Sequence, residues 1–260
     1  MTSNGRRVEV GGVDIPVDHL IGGRWVGSET TFATTSPLDW DAGPLAQIAR
    51  GDASTAKAAA VAAVAGFDAW SRFSVTERAE VLHCLADLIE TRNEEIAMVE
   101  SLDMGFLYES MKLRLVARGA ANFRIYADLI VGHQERAWDA KNQQHIVQRM
   151  PAGPAVVITP WNAPFMLSTW KLAPALAAGN SIIHKPAEWS PLSAALLAEL
   201  TLEAGFPPGA YNLVQGLGEE VGAALVADDR IRRITFTGSP ETARRIGKAA
   251  AENLVPFTAE

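Results

Sequence analysis

The stretch FTGSPE, residues 236–241, carries residue types suited to holding a phosphate group. Gly238 lets the backbone approach a ligand closely. Ser239 is a favoured residue just before a helix, and Pro240 suits the first helical position. The first turn of such a helix has free N–H groups and a partial positive charge, which together attract an anion. The stretch therefore predicts a phosphate site, although a well-capped helix without a ligand has the same signature.

Lys185 and Glu188 lie three residues apart, just after the apolar run SII. A cation and a carboxylate at this spacing are suited to holding a ribose by hydrogen bonds. The same spacing is also typical of a solvent-exposed ion pair, which contributes less than about 1 kcal/mol to stability. The residues alone leave both interpretations open, and the solvent-exposed ion pair is the more common of the two.

Two further side chains have types that suit catalysis. Asn162 follows Trp161 and is able to donate its amide N–H to a developing oxyanion. Glu260 suits a general base if it is partly buried. The ordinary alternatives are a turn-forming asparagine and an exposed glutamate at a chain end. The single cysteine, Cys84, lies in the apolar helical stretch VLHCLADLI and is predicted to be a small buried hydrophobe.

The elements that would position these residues begin after Pro154, where apolar strands and helices alternate at short intervals. This alternation predicts an α/β fold with a doubly wound, parallel, five-stranded Rossmann-like sheet. Helices are expected on both faces of the sheet. The predicted strands are residues 155–160, 181–186, 210–216, 230–238 and 254–260.

Ligands of such a sheet bind beyond the carboxyl ends of its strands. The residues that follow the predicted strands therefore fall on one binding edge. GLGEEVG follows the third strand, but its glycine spacing is not that of the usual dinucleotide loop and more often serves packing. The candidates on the edge are Thr159, Pro160, Trp161, Asn162, Lys185, Glu188, Gly218, Gly222, Phe236, Gly238, Ser239 and Glu260.

The region upstream is predicted to be mainly helical after a β-rich segment at residues 19–50. Helices are expected over residues 53–70, 75–89, 94–102 and 111–131, and QHIVQRM at 144–150 alternates like an exposed strand. The predicted organisation is an N-terminal helical region (1–130), an exposed strand segment (131–153) and the α/β domain that carries the binding edge (154–260).

Composition excludes several functional classes. The net charge is −7 and the pI is near 5.3, which argues against a nucleic-acid partner. One cysteine forms no internal disulfide and favours a reducing, cytoplasmic setting. The N-terminus lacks an apolar signal region, and no apolar run is long enough for a membrane span. The five histidines are scattered, so no metal site is expected.

The order of the motifs resembles the aldehyde dehydrogenase superfamily over residues 20–260. The strings that carry the resemblance are ITPWNAPF, WKLAPALAAGNSIIHKPAEWSPLSA, EAGFPPGAYNLVQG and ITFTGS, with FDAW, SVTERAEVLHCLADLIE and SLDMG upstream. ANFRIYAD and AAENLVP are most similar to the bacterial branch that acts on semialdehydes from aromatic-ring breakdown. One departure is Ala243, where many members have glycine, and it puts only the local helix packing in doubt.

The resemblance implies that residues 1–130 pack on a cofactor domain at 154–260 and that residues 131–153 form an oligomerisation-type strand segment. It also implies a role for each candidate. Asn162 matches the oxyanion-hole asparagine, Glu260 the general base, and Lys171 a lysine in the cleft. NAD is the implied cofactor, because Glu188 repels the 2′-phosphate of NADP. NADP is left open as an alternative. The substrate is a small-molecule aldehyde, and the family forms homodimers or homotetramers. The implied cofactor-binding residues are Thr159, Pro160 and Trp161 before α-helical residues 164–178, Lys185 and Glu188 at the ribose, Gly218 and Gly222 near the adenine, and Phe236, Gly238 and Ser239 at the pyrophosphate.

The family mechanism needs a cysteine thiolate a few dozen residues after the general base. This sequence stops at Glu260. Cys84 lies in the helical region, away from the predicted binding edge. We therefore expect a truncated aldehyde dehydrogenase fold whose catalytic domain is absent and which does not catalyse alone. A non-catalytic dinucleotide-binding or scaffold module that pairs with other subunits is the alternative.

Overall fold

The computed structural model describes residues 5–260 as an α/β fold. Its strands are β1 (Arg7–Val10), β2 (Val13–Pro16), β3 (His19–Ile21), β4 (Arg24–Val26), β5 (Thr31–Thr35), β6 (Pro44–Ala49), β7 (Arg136–Ala140), β8 (Gln143–Val147), β9 (Ala155–Ile158), β10 (Ile182–Lys185), β11 (Tyr211–Leu213), β12 (Arg233–Phe236) and β13 (Phe257–Ala259). Its helices are α1 (Ala53–Trp70), α2 (Val75–Thr91), α3 (Asn93–Met104), α4 (Tyr108–Ser110), α5 (Ala117–Val131), α6 (Pro164–Ala177), α7 (Leu192–Glu203), α8 (Ala223–Ala227) and α9 (Pro240–Glu252).

Seven strands form the central sheet, in the order β13-β12-β9-β10-β11-β3-β4. The five strands from β13 to β11 are parallel, as the alternating pattern predicts. The antiparallel strands β3 and β4 extend the sheet beyond β11. The strands β9 and β10 follow the apolar runs AVVI and SII, because strands buried on both faces need no polar alternation, whereas β12 and β13 are only partly buried.

The sheet is doubly wound, and adjacent residues of one strand face opposite cores. Val157 and Ile182 pack in the core formed with α2, α3, α5, α6 and α7. Val156 and Ile183, their neighbours along the chain, pack in the core formed with α1, α8 and α9. This alternation follows from the two-residue period of a strand. Helices therefore cover both faces, as predicted.

The start of the chain differs from the predicted helical region. Residues 5–49 contain six strands and only one short helical turn, Trp40–Ala42, and the longer helices begin at Ala53. Short runs such as VDIP are too brief for a helix, and Gly11-Gly12 and Gly22-Gly23 make tight turns with φ values between +59° and +79°. The β-rich interpretation of residues 19–50 was correct, and strands β3 and β4 of that segment belong to the central sheet.

Cys84 is exposed on α2, so its predicted burial is wrong. The buried face of α2 is formed by Ala79, Leu82, Leu85, Ala86 and Ile89, and position 84 lies outside this stripe. Apolar neighbours in sequence do not imply burial on a helix, because adjacent positions point about 100° apart.

The segment between α5 and β9 forms an exposed antiparallel hairpin, β7 with β8. The sequence predicted only the second of these strands. Nearly all of its side chains are exposed, including Trp138 and Ile146. Among the helices of the described residues, none combines the length and apolar character that crossing a membrane requires.

Candidate functional site

The carboxyl ends of three central strands lie side by side. Ile158 at the end of β9 is in register with Lys185 of β10 on one side and with Phe236 of β12 on the other. Phe236 is in register with Ala259 of β13. Parallel register therefore brings the loops after β9, β10, β12 and β13 to one edge of the sheet.

The loop after β9 presents Trp161 and Asn162 to solvent. Both are exposed, and Pro160 before them is half-buried. The Ser190 hydroxyl donates a hydrogen bond of 3.0 Å to the Trp161 carbonyl, which ties this loop to the loop after β10. The Asn162 amide is thus available to a ligand, on a loop with a fixed backbone.

Lys185 and Glu188 form an ion pair of 2.9 Å at the end of β10. The lysine is only 2 % exposed, so the pair is not the solvent-exposed one that the spacing alone also allowed. Burial lowers the pKa of Lys185 below its ordinary value, and the Glu188 carboxylate opposes that change. The pair holds a cation and a carboxylate oxygen at fixed positions on the edge.

Two glycines predicted near this pair have different surroundings. A Cβ at Gly222 would lie 3.9 Å from the Lys185 Cδ, in ordinary van der Waals contact. A Cβ at Gly218 would meet nothing within 4 Å. The helical turn Gly218–Gly222 leads directly into α8. The space at Gly218 is open, and no protein atom there would clash with a side chain.

The start of α9 has the features that FTGSPE predicted. The Ser239 hydroxyl accepts a hydrogen bond from the Thr242 N–H at 3.2 Å, which is an N-cap contact. A Cβ at Gly238 would lie 2.5 Å from Cζ of the Phe236 ring, so only glycine fits there. The Phe236 ring itself is 4 % exposed and belongs to the core.

Glu260 lies at the same edge, with its carboxylate near Lys171 and Thr237. Lys171 Nζ is 3.1 Å from Glu260 Oε2 and 3.2 Å from the Thr235 hydroxyl. Thr237 Oγ1 is 3.4 Å from the same carboxylate oxygen. The glutamate side chain is 66 % exposed while that of the lysine is 6 % exposed. The Glu260 carboxylate thus faces solvent, and the buried ammonium group of Lys171 binds it from the side of the core.

The Thr159 side chain points away from the edge. Its hydroxyl contacts His184 Nε2 at 3.0 Å and accepts a hydrogen bond from Ser168 at 3.1 Å. His184 Nδ1 lies 2.8 Å from the Tyr211 hydroxyl. The Thr159 hydroxyl is thus engaged in a buried network and does not face the edge. The sequence reasoning missed Ser168 and His184 because nothing in the linear pattern pairs them with Thr159.

Burial sets the charge of this network. Complete burial, with the nearby Lys185 cation, lowers the pKa of His184 to about 3. Burial also raises the pKa of Tyr211 above its ordinary value. Both groups are therefore neutral at physiological pH, and the network carries hydrogen bonds without charge.

Sequence reasoning also missed two buried carboxyls on α3. Glu100 is 0 % exposed and Asp103 is 2 % exposed. Their carboxyl oxygens accept hydrogen bonds from backbone N–H groups in the first turns of α6 and α7, the two helices that follow the site loops. Acidic residues at 3-residue spacing on an otherwise apolar helix face are the signal that would have found them.

A cavity of about 680 Å³ opens beside the edge. Its walls include Trp161, Glu188 and Ser190 from the site loops. Trp40 and Asp103 line it from the N-terminal segment and α3. The wall is mainly apolar and aromatic with a few polar groups, which is typical of a small-molecule site.

Comparison with known proteins places this geometry in a family. Residues 25–260 match the family model described as the aldehyde dehydrogenase family. The chain belongs to the aldehyde dehydrogenase family. The match includes every strand of the parallel sheet and each of the loops at its edge, so the resemblance carried by the PWN, HKPAE and FTGS segments is confirmed.

Similar curated proteins are aldehyde dehydrogenases with different named substrates. This aldehyde dehydrogenase chain is 38% identical to 2-hydroxymuconic semialdehyde dehydrogenase of Pseudomonas sp. (strain CF600), with 94% of the chain and 52% of that protein aligned. It is 36% identical to phenylacetaldehyde dehydrogenase of Pseudomonas fluorescens, with 100% of the chain and 54% of that protein aligned. The chain spans about half the length of the curated relatives it matches.

Solved structures of the family match the fold closely. HpcC from Thermus thermophilus aligns with a TM-score of 0.90 at 43% identity, over 94% of this aldehyde dehydrogenase chain and 48% of HpcC. Indole-3-acetaldehyde dehydrogenase in a complex with NAD+ aligns with a TM-score of 0.92 at 34% identity, over 95% and 51% of the two chains. The fold thus corresponds to about half of each of these family members.

Proposed function

We propose that this chain binds NAD along the edge formed by the loops after β9, β10 and β12. The observation that carries the proposal is the convergence of the Lys185–Glu188 pair and the start of α9 on that edge, next to β9. The pair is suited to a ribose. The capped helix start is suited to the pyrophosphate.

The residues at the edge fit a dinucleotide. Within residues 5–260 the backbone N–H groups of Ser239 and Glu241 donate to no protein acceptor, so they are free for phosphate oxygens. Gly238 brings the backbone close, since its packing against the Phe236 ring leaves no room for a side chain. The open space at Gly218 and the small Gly222 beside Lys185 leave room for the adenine half.

The Glu188 carboxylate favours NAD over NADP. It is fixed at 2.9 Å from Lys185, at the place proposed for the ribose hydroxyls. A 2′-phosphate there would meet the like charge of the Glu188 carboxylate, while the adjacent Lys185 cation is already paired with that carboxylate. NADP binding is therefore expected to be the weaker of the two.

In the reaction of the family, a small-molecule aldehyde is oxidised to an acid, and NAD accepts a hydride when bound. In the complete active unit, Asn162 of this chain would donate its amide N–H to the aldehyde oxygen as negative charge develops there. Glu260 accepts a proton at Oε1 or Oε2 from the attacking water. Lys171 holds Oε2 in place through the contact of 3.1 Å.

We further propose that these 260 residues form the cofactor-binding half of the active unit and do not oxidise aldehydes alone. The reaction needs a thiolate near Asn162. Cys84 is exposed on α2, and the residues that line the edge do not include it. The proposal therefore assigns the nucleophile to another part of the active unit.

Two measurements on the purified 260-residue chain test these proposals. Calorimetric titration with NAD is expected to show binding that Glu188→Gln and Lys185→Met weaken. A mixture of chain, aldehyde and NAD is expected to form no NADH. NADH formation that disappears in Cys84→Ser would show that the cysteine is the nucleophile and overturn the second proposal. No binding of NAD would overturn the first.

The exposed hairpin β7–β8 is proposed to serve association with other subunits, with a homodimer or homotetramer as the assembly. Trp138, Ile146 and Met150 expose apolar surface on or next to it. A non-catalytic scaffold module that pairs with other subunits is the second candidate function, because it uses the same hairpin and needs no thiol. Sedimentation and NAD titration of the purified chain separate the two: a folded, monodisperse chain that binds NAD without any further partner favours the scaffold, whereas insoluble or partly unfolded material counts against it.

A further inference from the structure

The helices α6 and α7 begin without caps of their own. The residues before them are Ala163 and Pro191, and neither makes a side-chain capping contact. Three other long helices have such caps, from Asp52 for α1, Ser74 for α2 and Ser239 for α9, whereas α3 and α5 have none. The first N–H groups of α6 and α7 therefore need acceptors from elsewhere.

Glu100 on α3 supplies acceptors to both helices. Its Oε1 accepts a hydrogen bond from the Phe165 N–H in the first turn of α6, at 3.2 Å. The same oxygen accepts a hydrogen bond from the Ser193 hydroxyl in the first turn of α7. Glu100 is completely buried, and its other oxygen, Oε2, has no partner within the residues that the structure covers.

Asp103, one turn further along α3, completes the arrangement. Its Oδ2 accepts a hydrogen bond of 2.9 Å from the Leu192 N–H, the first of α7. Its Oδ1 accepts one of 2.8 Å from the Thr34 hydroxyl on β5. Two carboxyls of one helix thus cap two other helices that are 65 to 93 residues away in the chain.

Both capped helices start directly after the loops of the site. Asn162 precedes α6 by two residues, and Glu188 precedes α7 by four. The two loops are also joined by the Ser190 hydroxyl bond to the Trp161 carbonyl. A shift at either helix start therefore moves the site residues that lie immediately before it.

We propose that Glu100 is a positioning residue: through one carboxyl oxygen it fixes the starts of α6 and α7, and so the spacing between Asn162 and the Lys185–Glu188 pair. The effect on ligand binding rests on the NAD site proposed above. Asp103 supports the same function at α7. Glu100 is completely buried and acts without contacting the ligand itself.

Three variants of α3 test the proposal in the 260-residue chain. Glu100→Leu removes both capping contacts. Glu100→Gln keeps an acceptor oxygen for the Phe165 N–H and the Ser193 hydroxyl. Val99→Ala is the matched control, because Val99 is equally buried on α3 and only packs. Each is measured by urea unfolding, by NAD titration and by hydrogen exchange of the Phe165 and Leu192 amides.

Glu100→Leu is expected to weaken NAD binding about tenfold, the size of effect that a lost helix cap has on a local equilibrium. It is also expected to speed exchange at the Phe165 amide. Glu100→Gln is expected to have the NAD affinity and the Phe165 exchange rate of the unmodified chain. Val99→Ala is expected to lower the free energy of unfolding and to leave that affinity and that rate unchanged. Equal changes in Glu100→Leu and Val99→Ala, or unchanged values in Glu100→Leu, would overturn the proposal.

Failure of the NAD site is distinguishable from failure of the positioning. If the unmodified chain binds no NAD, the proposed function fails. The hydrogen-exchange data then test the positioning role of Glu100 by themselves. Faster exchange at Phe165 in Glu100→Leu but not in Val99→Ala then supports the positioning of the loops. Unchanged exchange at that amide overturns it.

Discussion

Lys171 Nζ lies 3.1 Å from Glu260 Oε2, and this contact joins the middle of α6 to the end of the β13 segment. The lysine is buried and the carboxylate faces solvent. Thr235 accepts a second hydrogen bond from the same ammonium group, at 3.2 Å. A proposed general base is thus oriented by a cation that lies beneath it and is itself shielded from solvent.

The Lys171–Glu260 pair is expected to orient more than it stabilises. In a double-mutant cycle of Lys171→Met and Glu260→Gln, the coupling free energy should be below about 1 kcal/mol, because the exposed carboxylate is screened by water. Urea unfolding of the four proteins measures this. A coupling of several kcal/mol would show that the pair is a structural ion pair of the core.

The cap at Ser239 should matter for NAD binding in a way that an equivalent cap does not. Ser239→Ala removes the hydroxyl that bonds the Thr242 N–H and loosens the start of α9, where the pyrophosphate is proposed to bind. Ser74→Ala removes the same type of cap from α2. Each should cost about 1 kcal/mol of stability, but only Ser239→Ala should weaken NAD in a titration. Equal NAD affinities would contradict the pyrophosphate site at α9.

The Thr159 hydroxyl is expected to support the loop before Asn162 through His184. Thr159→Val leaves the His184 Nε2 with one partner fewer in a fully buried place and should destabilise the fold by about 1–3 kcal/mol. Thr159→Ser keeps the hydroxyl and should stay within about 1 kcal/mol of the unmodified chain. Thermal unfolding of the two variants is the measurement. If both behave alike, the hydroxyl network is not what holds the loop.

A rise in pH from the acid range to about pH 8 should destabilise the fold through the buried carboxyls of α3. Burial raises the pKa of Glu100 from 4.5 to about 8 and that of Asp103 from 3.8 to about 7. The folded state keeps these protons after the unfolded state has lost them, so stability falls as pH rises through the folded pKa values. The decline runs from the ordinary pKa values of 4.5 and 3.8 up to the folded values of about 8 and about 7, and it is at most about 1.4 kcal/mol per pH unit per group. Urea midpoints of Glu100→Gln should fall less steeply there, and an unchanged slope would contradict the assignment.

Acid pH should act through the buried histidines in the opposite sense. Burial lowers the pKa of His184 from 6.5 to about 3 and that of His19 from 6.5 to about 4. The unfolded state therefore takes up protons first, and this part of the stability is lost as pH falls below about 6.5. Relative to the unmodified chain, His184→Gln should gain stability as pH falls from about 6.5 to about 4.5. Parallel pH profiles for the two proteins would show that His184 is not neutral in the fold.

Several parts of the fold could be predicted from local patterns. The apolar runs AVVI and SII predicted strands buried on both faces, and Ala53–Trp70 was predicted to its ends because alanine and a preceding aspartate cap define a helix locally. The capping signature at Ser239 was likewise readable, since it involves only neighbours in the chain. Strand β7 was missed because RAWDA is charged and pairs only with its hairpin partner.

The sequence by itself determined which residues end each strand, and therefore that Asn162, Lys185, Glu188 and Ser239 share one edge. Parallel register alone requires this. Only the tertiary structure decided which side chains face that edge: Thr159 turns into the core, Cys84 turns to solvent, and α3 caps α6 and α7 with Glu100 and Asp103. The reason is that these contacts join groups far apart in the chain, where packing decides the partner and no local pattern records it.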